Sequence, residues 1–278
     1  MKSVGLIGSS GFIGTEISKS FSEIDNLCVM NFSSKSLLDR NCFYLNLMDT
    51  VDNQVTIEAL KKCDYIILLS WIWEPQGHKN YDFFDRILKY LRNDCIIINV
   101  SSFSAFSTIN SKYGVEKRKV ENLITQYSGI NIRLGLVLSD EIPSLLIKYI
   151  ELVRFSNFLL NFKGLGSSQF TIRNSEVSEL ISKIVNGEGL TQRSTYVAYS
   201  NYYDNIMLLL IQNRYIDSDL KVVNISSYYI LSAISNTLRF ASRISKKFMF
   251  IHERYIGLTN QPSLYEVSRY TNLIEVTK

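Results

Sequence analysis

Gly5, Gly8, Gly11 and Gly14 recur at intervals of three near the start of the chain. They lie between an apolar run (Val4, Leu6, Ile7) and apolar residues at helical spacing (Phe12, Ile13, Ile17, Phe21). Glycine loses more backbone freedom on folding than any other residue, so such a cluster needs a conformational reason. The pattern predicts a short buried strand, a tight turn from Gly8 to Gly14, and an amphipathic helix. The start of that helix would point free N–H groups and the positive end of its dipole at the turn, which suits a pyrophosphate. A glycine-rich hairpin is the plain alternative for the turn alone. Strand, turn and helix in that order point instead to a dinucleotide, with Gly8, Ser10, Gly11, Phe12, Ile13 and Gly14 as its candidate contacts.

The segments that follow alternate in character. "NLCVMNF", "CFYLNL", "DYIILLS", "CIIINVSS" and "GINIRLGLVL" read as strands, with "TIEALKKC", "YDFFDRILKYLRN" and "KYGVEKRKVENLITQYS" as helices. Such alternation predicts an α/β fold, a doubly wound parallel sheet covered on both faces. Ligands of such sheets bind at the carboxyl ends of the strands. The residues at those ends are therefore candidates: Asn31, Ser33, Ser34 and Lys35, then Asn46 and Leu47, then Leu69, Ser70 and Trp71. In the second half "IPSLLIKYIELVRF" and "SEVSELISKIVNG" read as helices, and "SQFTI" and "TYVAYS" as strands. The expected organisation is a dinucleotide-binding domain over 1–200, interrupted near 139–170, and a small substrate-binding cap over 201–278.

Composition excludes several classes. The net charge of +4 is small and the 30 basic residues are scattered, so no nucleic-acid partner is expected. Four cysteines without paired spacing and two histidines argue against a metal site or a disulfide framework. The sequence opens on a strand rather than a secretory signal, and no apolar run reaches membrane-spanning length. A cytoplasmic protein without a membrane partner is expected.

"NVSSFSAFSTINSKYGVEKRKVENLI" carries the second constellation. Tyr113 and Lys117 are four residues apart, on one face of a helix about one turn apart. A free tyrosine, with a pKa of about 10, is a poor base at neutral pH; a nearby ammonium favours its phenolate. Ser102, at the end of a strand, could hold a substrate oxygen beside the Tyr113 phenol. Such a trio moves a proton on or off an alcohol while hydride moves at the adjacent carbon. With 17 tyrosines in the chain, roughly one Tyr-x-x-x-Lys match arises by chance. The setting is what carries the reading: a serine pair ending an apolar strand, then the next helix, in a chain that begins with the glycine turn.

Gly8-x-x-Gly11-x-x-Gly14, Ser101-Ser102 and Tyr113-x-x-x-Lys117 together resemble the extended short-chain dehydrogenase/reductase superfamily, in particular its NAD-dependent epimerase/dehydratase branch acting on nucleotide sugars. "DYIILLSW", "NIRLGLVLS" with Arg133, and "GLGSSQFTIRNSEVSELISKIV" extend the resemblance along most of the chain. It implies a Rossmann fold with a small C-terminal substrate-binding region and NAD(P) as cofactor. It also implies Ser102, Tyr113 and Lys117 as catalytic residues, with Lys117 touching the nicotinamide ribose. A nucleotide-sugar substrate and a homodimer belong to the same expectation.

The chain departs from that pattern in places. Asn31, Ser33, Ser34 and Lys35 stand where an acidic residue would normally grip the adenosine ribose, which leans towards NADP; a plain polar loop is the alternative. Asn46 replaces a common Asp beside adenine, Glu176 replaces an Asp, and Gln169 occupies a place where an arginine would hold a diphosphate. Arg154, Lys163, Arg173 and His252 are candidate substitutes, and Trp71 and Trp73 could wall a sugar pocket. Three readings stand: a nucleotide-sugar epimerase working through a keto intermediate, an NADPH-dependent ketoreductase, and a cofactor-sensing regulator. Phe103 and Ser104 fill the place where a dehydratase would carry an acid pair, which sets dehydration aside.

Overall fold

A computed structural model describes residues 1–34, 41–49, 53–73, 76–106, 111–139, 158–162, 169–188, 194–204, 212, 221–225, 262, 264–268 and 273–275. In the first half, strands and helices alternate: β1 (Lys2–Ile7), α1 (Phe12–Ser22), β2 (Leu27–Ser33), β3 (Cys42–Tyr44), α2 (Gln54–Lys61), β4 (Tyr65–Leu68), α3 (Lys79–Leu88) and β5 (Ile96–Ser102). A short 3-10 turn (Phe103–Ala105) leads to α4 (Lys112–Gln126), β6 (Ile130–Leu134) and β7 (Leu136–Leu138). Then come β8 (Phe158–Phe162), β9 (Gln169–Arg173), α5 (Asn174–Asn186), β10 (Thr195–Tyr199), β11 (Asn201–Tyr203), β12 (Lys221–Ile225), α6 (Leu264–Ser268) and β13 (Leu273–Glu275).

Eight strands form one sheet in the order β13-β10-β6-β5-β4-β1-β2-β3, and its strand pairings are parallel. The doubly wound parallel sheet expected from the sequence is what forms. Strand order, not strand direction, reverses between β1 and β4, which opens a crevice at their carboxyl ends. Apolar residues at every position of β4 follow from burial on two sides. Ile66 and Leu68 join the core under α2, α3 and α4, while Tyr65 and Ile67 join the core under α1 and α5. At about 25 cal/mol per Å² of apolar surface removed from water, these two cores are the main source of stability.

Two differences from the sequence reading have local causes. "GINIRLGLVL", expected as one strand, breaks at Gly135, where a Cβ would lie 2.4 Å from the Phe170 carbonyl oxygen. β6 therefore stays in the main sheet, and β7 joins β9 and β11 in a separate three-stranded sheet. The main sheet also recruits a strand from the far end of the chain, β13, beside β10. The helix expected over "IPSLLIKYIELVRF" lies outside the described residues. Among those residues, no helix is long and apolar enough to cross a membrane.

Candidate functional site

The four early glycines do different work. A Cβ at Gly5 would press on Ile66 at 2.5 Å, so this glycine lets β1 and β4 pack. Gly8 has a φ of +96°, in the left-handed region, and its Cβ would meet the Ser70 backbone nitrogen at 2.7 Å. Gly14 would strike the Gly8 carbonyl oxygen at 2.2 Å, so its bareness lets α1 sit against the turn. Gly11 is different: it is exposed, and its Cβ would make only one contact, at 3.2 Å. Here the space belongs to the solvent side, where a ligand can approach.

Gly11 caps α1 without any side-chain hydrogen bond, and the helix has no acidic residue in its first turn. Ser9 Oγ and Ser70 Oγ are buried at this turn with no hydrogen-bond partner. Two orphaned hydroxyls, an uncapped helix start and an open glycine fit a negatively charged group. Phe12 and Ile13 form the helix's first turn, Phe12 being 48% exposed. Leu69 and Ser70 close the opposite side, both N–H groups donating to the Ile7 carbonyl at 2.9 and 3.1 Å.

At the end of β2 the structure separates the candidates. Asn31 is an interior strand residue, 7% exposed, and its Oδ1 accepts from Ser18 Oγ of α1 at 3.1 Å. Ser33 is buried too, 4% exposed, but it ends the strand beside the glycine turn, and its hydroxyl donates to Ser10 Oγ at 2.7 Å. Ser34 follows, exposed; Lys35 lies outside the described residues.

Ser102, Tyr113 and Lys117 are brought together at the end of β5. Ser111 caps α4, accepting from Gly114 N at 2.9 Å. A Cβ at Gly114 would fall 1.9 Å from the Ser104 carbonyl oxygen, so glycine there allows the start of α4 to reach the 3-10 turn. That approach brings the Tyr113 hydroxyl close to the Ser102 side chain. Part of Tyr113 stays accessible, but its hydroxyl lies deep enough that burial pushes its pKa well above the ordinary tyrosine value. The neighbouring Ser102 side chain works the other way, and the Glu121 carboxylate adds to the rise.

The lowering expected of Lys117 is absent because the ammonium is held elsewhere. Lys117 Nζ donates to the Val100 carbonyl at 3.1 Å and sits 4.0 Å from the centre of a Trp71 ring, against 5.8 Å for Tyr113. Burial brings the Lys117 pKa down to about 7, opposed by the Glu121 carboxylate. Trp71 also meets Tyr113 edge-on at 5.5 Å, and Trp73 stacks on the Tyr113 ring at 5.2 Å with 15° between planes.

Sequence reasoning missed Glu121. It lies one helical turn beyond Lys117, 4% exposed, and accepts from Ser101 Oγ at 2.6 Å and from Arg133 Nε and Nη2 at 2.9 and 2.7 Å. The available signal was the spacing of Tyr113, Lys117 and Glu121, a run of fours on one helix face.

Solved structures share this architecture. The chain superposes on a nucleoside-diphosphate-sugar epimerase from Staphylococcus aureus with a TM-score of 0.68 at 14% identity, covering 95% of this chain and 93% of that one. A short-chain dehydrogenase/reductase superfamily protein from Agrobacterium tumefaciens, solved with bound NAD, matches with a TM-score of 0.63 at 13% identity, over 81% and 85%. The UDP-N-acetylglucosamine 4-epimerase of Bacillus cereus gives 0.59 at 15% identity, over 82% and 87%. This chain has the Rossmann-like α/β fold of these structures. No protein-family model and no curated protein sequence matches it.

Within this Rossmann-like fold the remaining candidates fall as follows. Asn46 uses its Oδ1 to accept from Met48 N at 3.1 Å, closing its own turn, and Leu47 packs against the core under α2. Glu176 accepts from Arg173 N at 2.7 Å, satisfying a backbone donor at the start of α5. Gln169 is buried in β9, and Arg173 is half-buried at that strand's end. Arg154, Lys163 and His252 lie outside the described residues.

Proposed function

We propose that the chain is an NAD(P)-dependent oxidoreductase of a nucleotide sugar, an epimerase working through a keto intermediate. The carrying observation is the Ser102–Tyr113 pair beside Lys117, at the same carboxyl end of the sheet as the open glycine turn. The names of the structural neighbours, nucleotide-sugar epimerases and an NAD-bound dehydrogenase, support the substrate class and cofactor.

In this reading the start of α1, Gly11 and the Ser9 and Ser70 hydroxyls hold the dinucleotide's diphosphate. Ser10 and Ser33 meet the adenosine ribose; hydroxyls in place of a carboxylate leave room for a 2′-phosphate and lean the choice to NADP. When bound, the nicotinamide takes hydride from a substrate carbon or gives it back. The chain's own residues handle the proton. Ser102 holds the substrate oxygen, Tyr113 exchanges a proton with it, and Lys117 would donate to the nicotinamide ribose.

One observation favours a second reading. Burial raises the Tyr113 pKa further above its ordinary value, which favours the phenol, the form that gives a proton to a carbonyl oxygen, over the phenolate. That suits a ketoreductase using exchangeable NADPH. Cofactor retained through purification supports the epimerase; an empty site that binds NADPH supports the reductase. For either, Tyr113→Phe on a panel of nucleotide sugars and keto-sugars should lower turnover about 10²–10⁴-fold, with cofactor affinity kept. Wild-type turnover by Tyr113→Phe overturns the mechanism.

A further inference from the structure

Lys117 is a buried cation, 5% exposed, and among the described residues its ammonium makes one hydrogen bond, to the Val100 carbonyl at 3.1 Å. An ammonium has three donors, and leaving it poorly compensated away from water is expensive. The groups around it come from several elements. Glu121 and Tyr113 share α4 with it; Arg133 of β6 is engaged by Glu121; Val100 belongs to β5. Beyond the end of β4 lies Trp71, with the Lys117 Nζ 4.0 Å from the centre of its ring. That is well inside the range, about 6 Å, in which an aromatic face attracts a cation, and tryptophan is the strongest such face.

The segment carrying Trp71 is held from below by a fully buried amide. Asn80 of α3 accepts from Ile72 N at 2.8 Å and donates to the Ile72 and Gly77 carbonyls at 2.8 and 2.7 Å. Every hydrogen-bonding group of that side chain that can face the loop is used, so the loop leaves β4 along a set path. Trp71 then touches two site residues at once, Lys117 through its face and Tyr113 edge-on.

We propose that Trp71 is a positioning residue for Lys117, a cation–π seat that holds the ammonium in its charged form beside Tyr113. Its relevance to proton transfer rests on the function proposed above; the contact itself does not. The seat supplies what the hydrogen bonds leave missing: a favourable partner for a charge that burial alone would tend to neutralise. It also explains why an indole stands just after β4, where the sequence reading considered a cofactor contact or a wall of a sugar pocket. Trp71 acts through Lys117.

The test reads Lys117 directly and needs no substrate. In protein labelled at the lysine Cε carbons, the Lys117 resonance is assigned by its loss in Lys117→Met and then followed against pH. Trp71→Leu should lower the midpoint of its titration by about one pH unit, and Trp71→Phe by less, since a benzene face attracts a cation more weakly. Thermal melts confirm that each variant is folded, and if Trp71→Leu does not fold, Trp71→Phe decides. A midpoint unchanged or raised in the folded variants overturns the proposal. A failed Tyr113→Phe assay would instead overturn the function and leave this contact standing.

Discussion

Glu121 and Arg133 meet in two parallel hydrogen bonds, Nε to Oε1 at 2.9 Å and Nη2 to Oε2 at 2.7 Å, with side chains 5% and 9% exposed. Ser101 adds a third bond to the carboxylate, and the guanidinium carbon lies 5.1 Å from the centre of the Phe106 ring. The pair ties α4 to β6 and, through Ser101, to β5. Ser102 belongs to β5 and Tyr113 and Lys117 to α4, so the same joint sets the distances among the three candidate catalytic residues.

Arg133→Met would leave the Glu121 carboxylate buried and without its charge partner. The expected loss is about 3–5 kcal/mol of unfolding free energy, read by urea denaturation. Arg133→Met combined with Glu121→Met removes both charges and should recover most of it. A single variant as stable as the wild type would show that the pair does not carry this joint.

Gly11→Ala and Gly114→Ala should behave oppositely. At Gly11 a methyl group meets only the Gly8 carbonyl oxygen, at 3.2 Å, and the backbone φ of −81° suits alanine. The melting temperature should hold while NAD(P)H affinity falls, as measured by calorimetry. At Gly114 the methyl group would fall 1.9 Å from the Ser104 carbonyl oxygen, so α4 must move. That variant should lose both stability and the Tyr113–Ser102 contact. Equal effects from the two alanines would contradict the roles assigned to the two glycines.

Lys117→Met carries a pH signature. Burial depresses the Lys117 pKa to about 7, below its unfolded value, so the folded state binds fewer protons between those two values. Wild-type stability from this group is therefore lowest below pH 7 and rises as the pH climbs towards the unfolded pKa. Methionine has no such term. Lys117→Met should melt higher than the wild type at pH 6 and lose that advantage steadily above pH 7. Parallel stability profiles for the two proteins would show that Lys117 is not a strained cation.

Ser33→Asp tests the choice of cofactor. A carboxylate at the end of β2 would accept from ribose hydroxyls and repel a 2′-phosphate. The ratio of the NADPH and NADH dissociation constants should move towards NADH by about tenfold or more, on the order of 1.4 kcal/mol. An unmoved ratio in a folded variant would place the adenosine ribose away from Ser33.

Much of the fold was legible because its signals are local. Gly8, Gly11 and Gly14 mark a turn by spacing alone, and the apolar run of β4 announces a strand buried on two faces. Tyr113 and Lys117 declare a shared helix face without any tertiary information, and Ser102 ends its strand as read. The break at Gly135 was not legible: "NIRLGLVL" is an unbroken strand until Phe170, 35 residues away, supplies a carbonyl oxygen where a side chain would go.

Local pattern set where strand, turn and helix fall and which chemical groups gather at the carboxyl ends of the strands, because 3.6-residue and 2-residue periods are properties of the local backbone. Tertiary structure alone decided what each group does there. Asn31 and Ser33 are both polar residues of one strand, yet the first is engaged by Ser18 inside the fold and only the second ends beside the glycine turn. Lys117 could have faced the Tyr113 hydroxyl, but burial and the position of Trp71 drew its ammonium to an indole face and the Val100 carbonyl. The protonation state of a buried group depends on the charges, dipoles and ring faces that surround it, and those neighbours come from segments far apart in the chain.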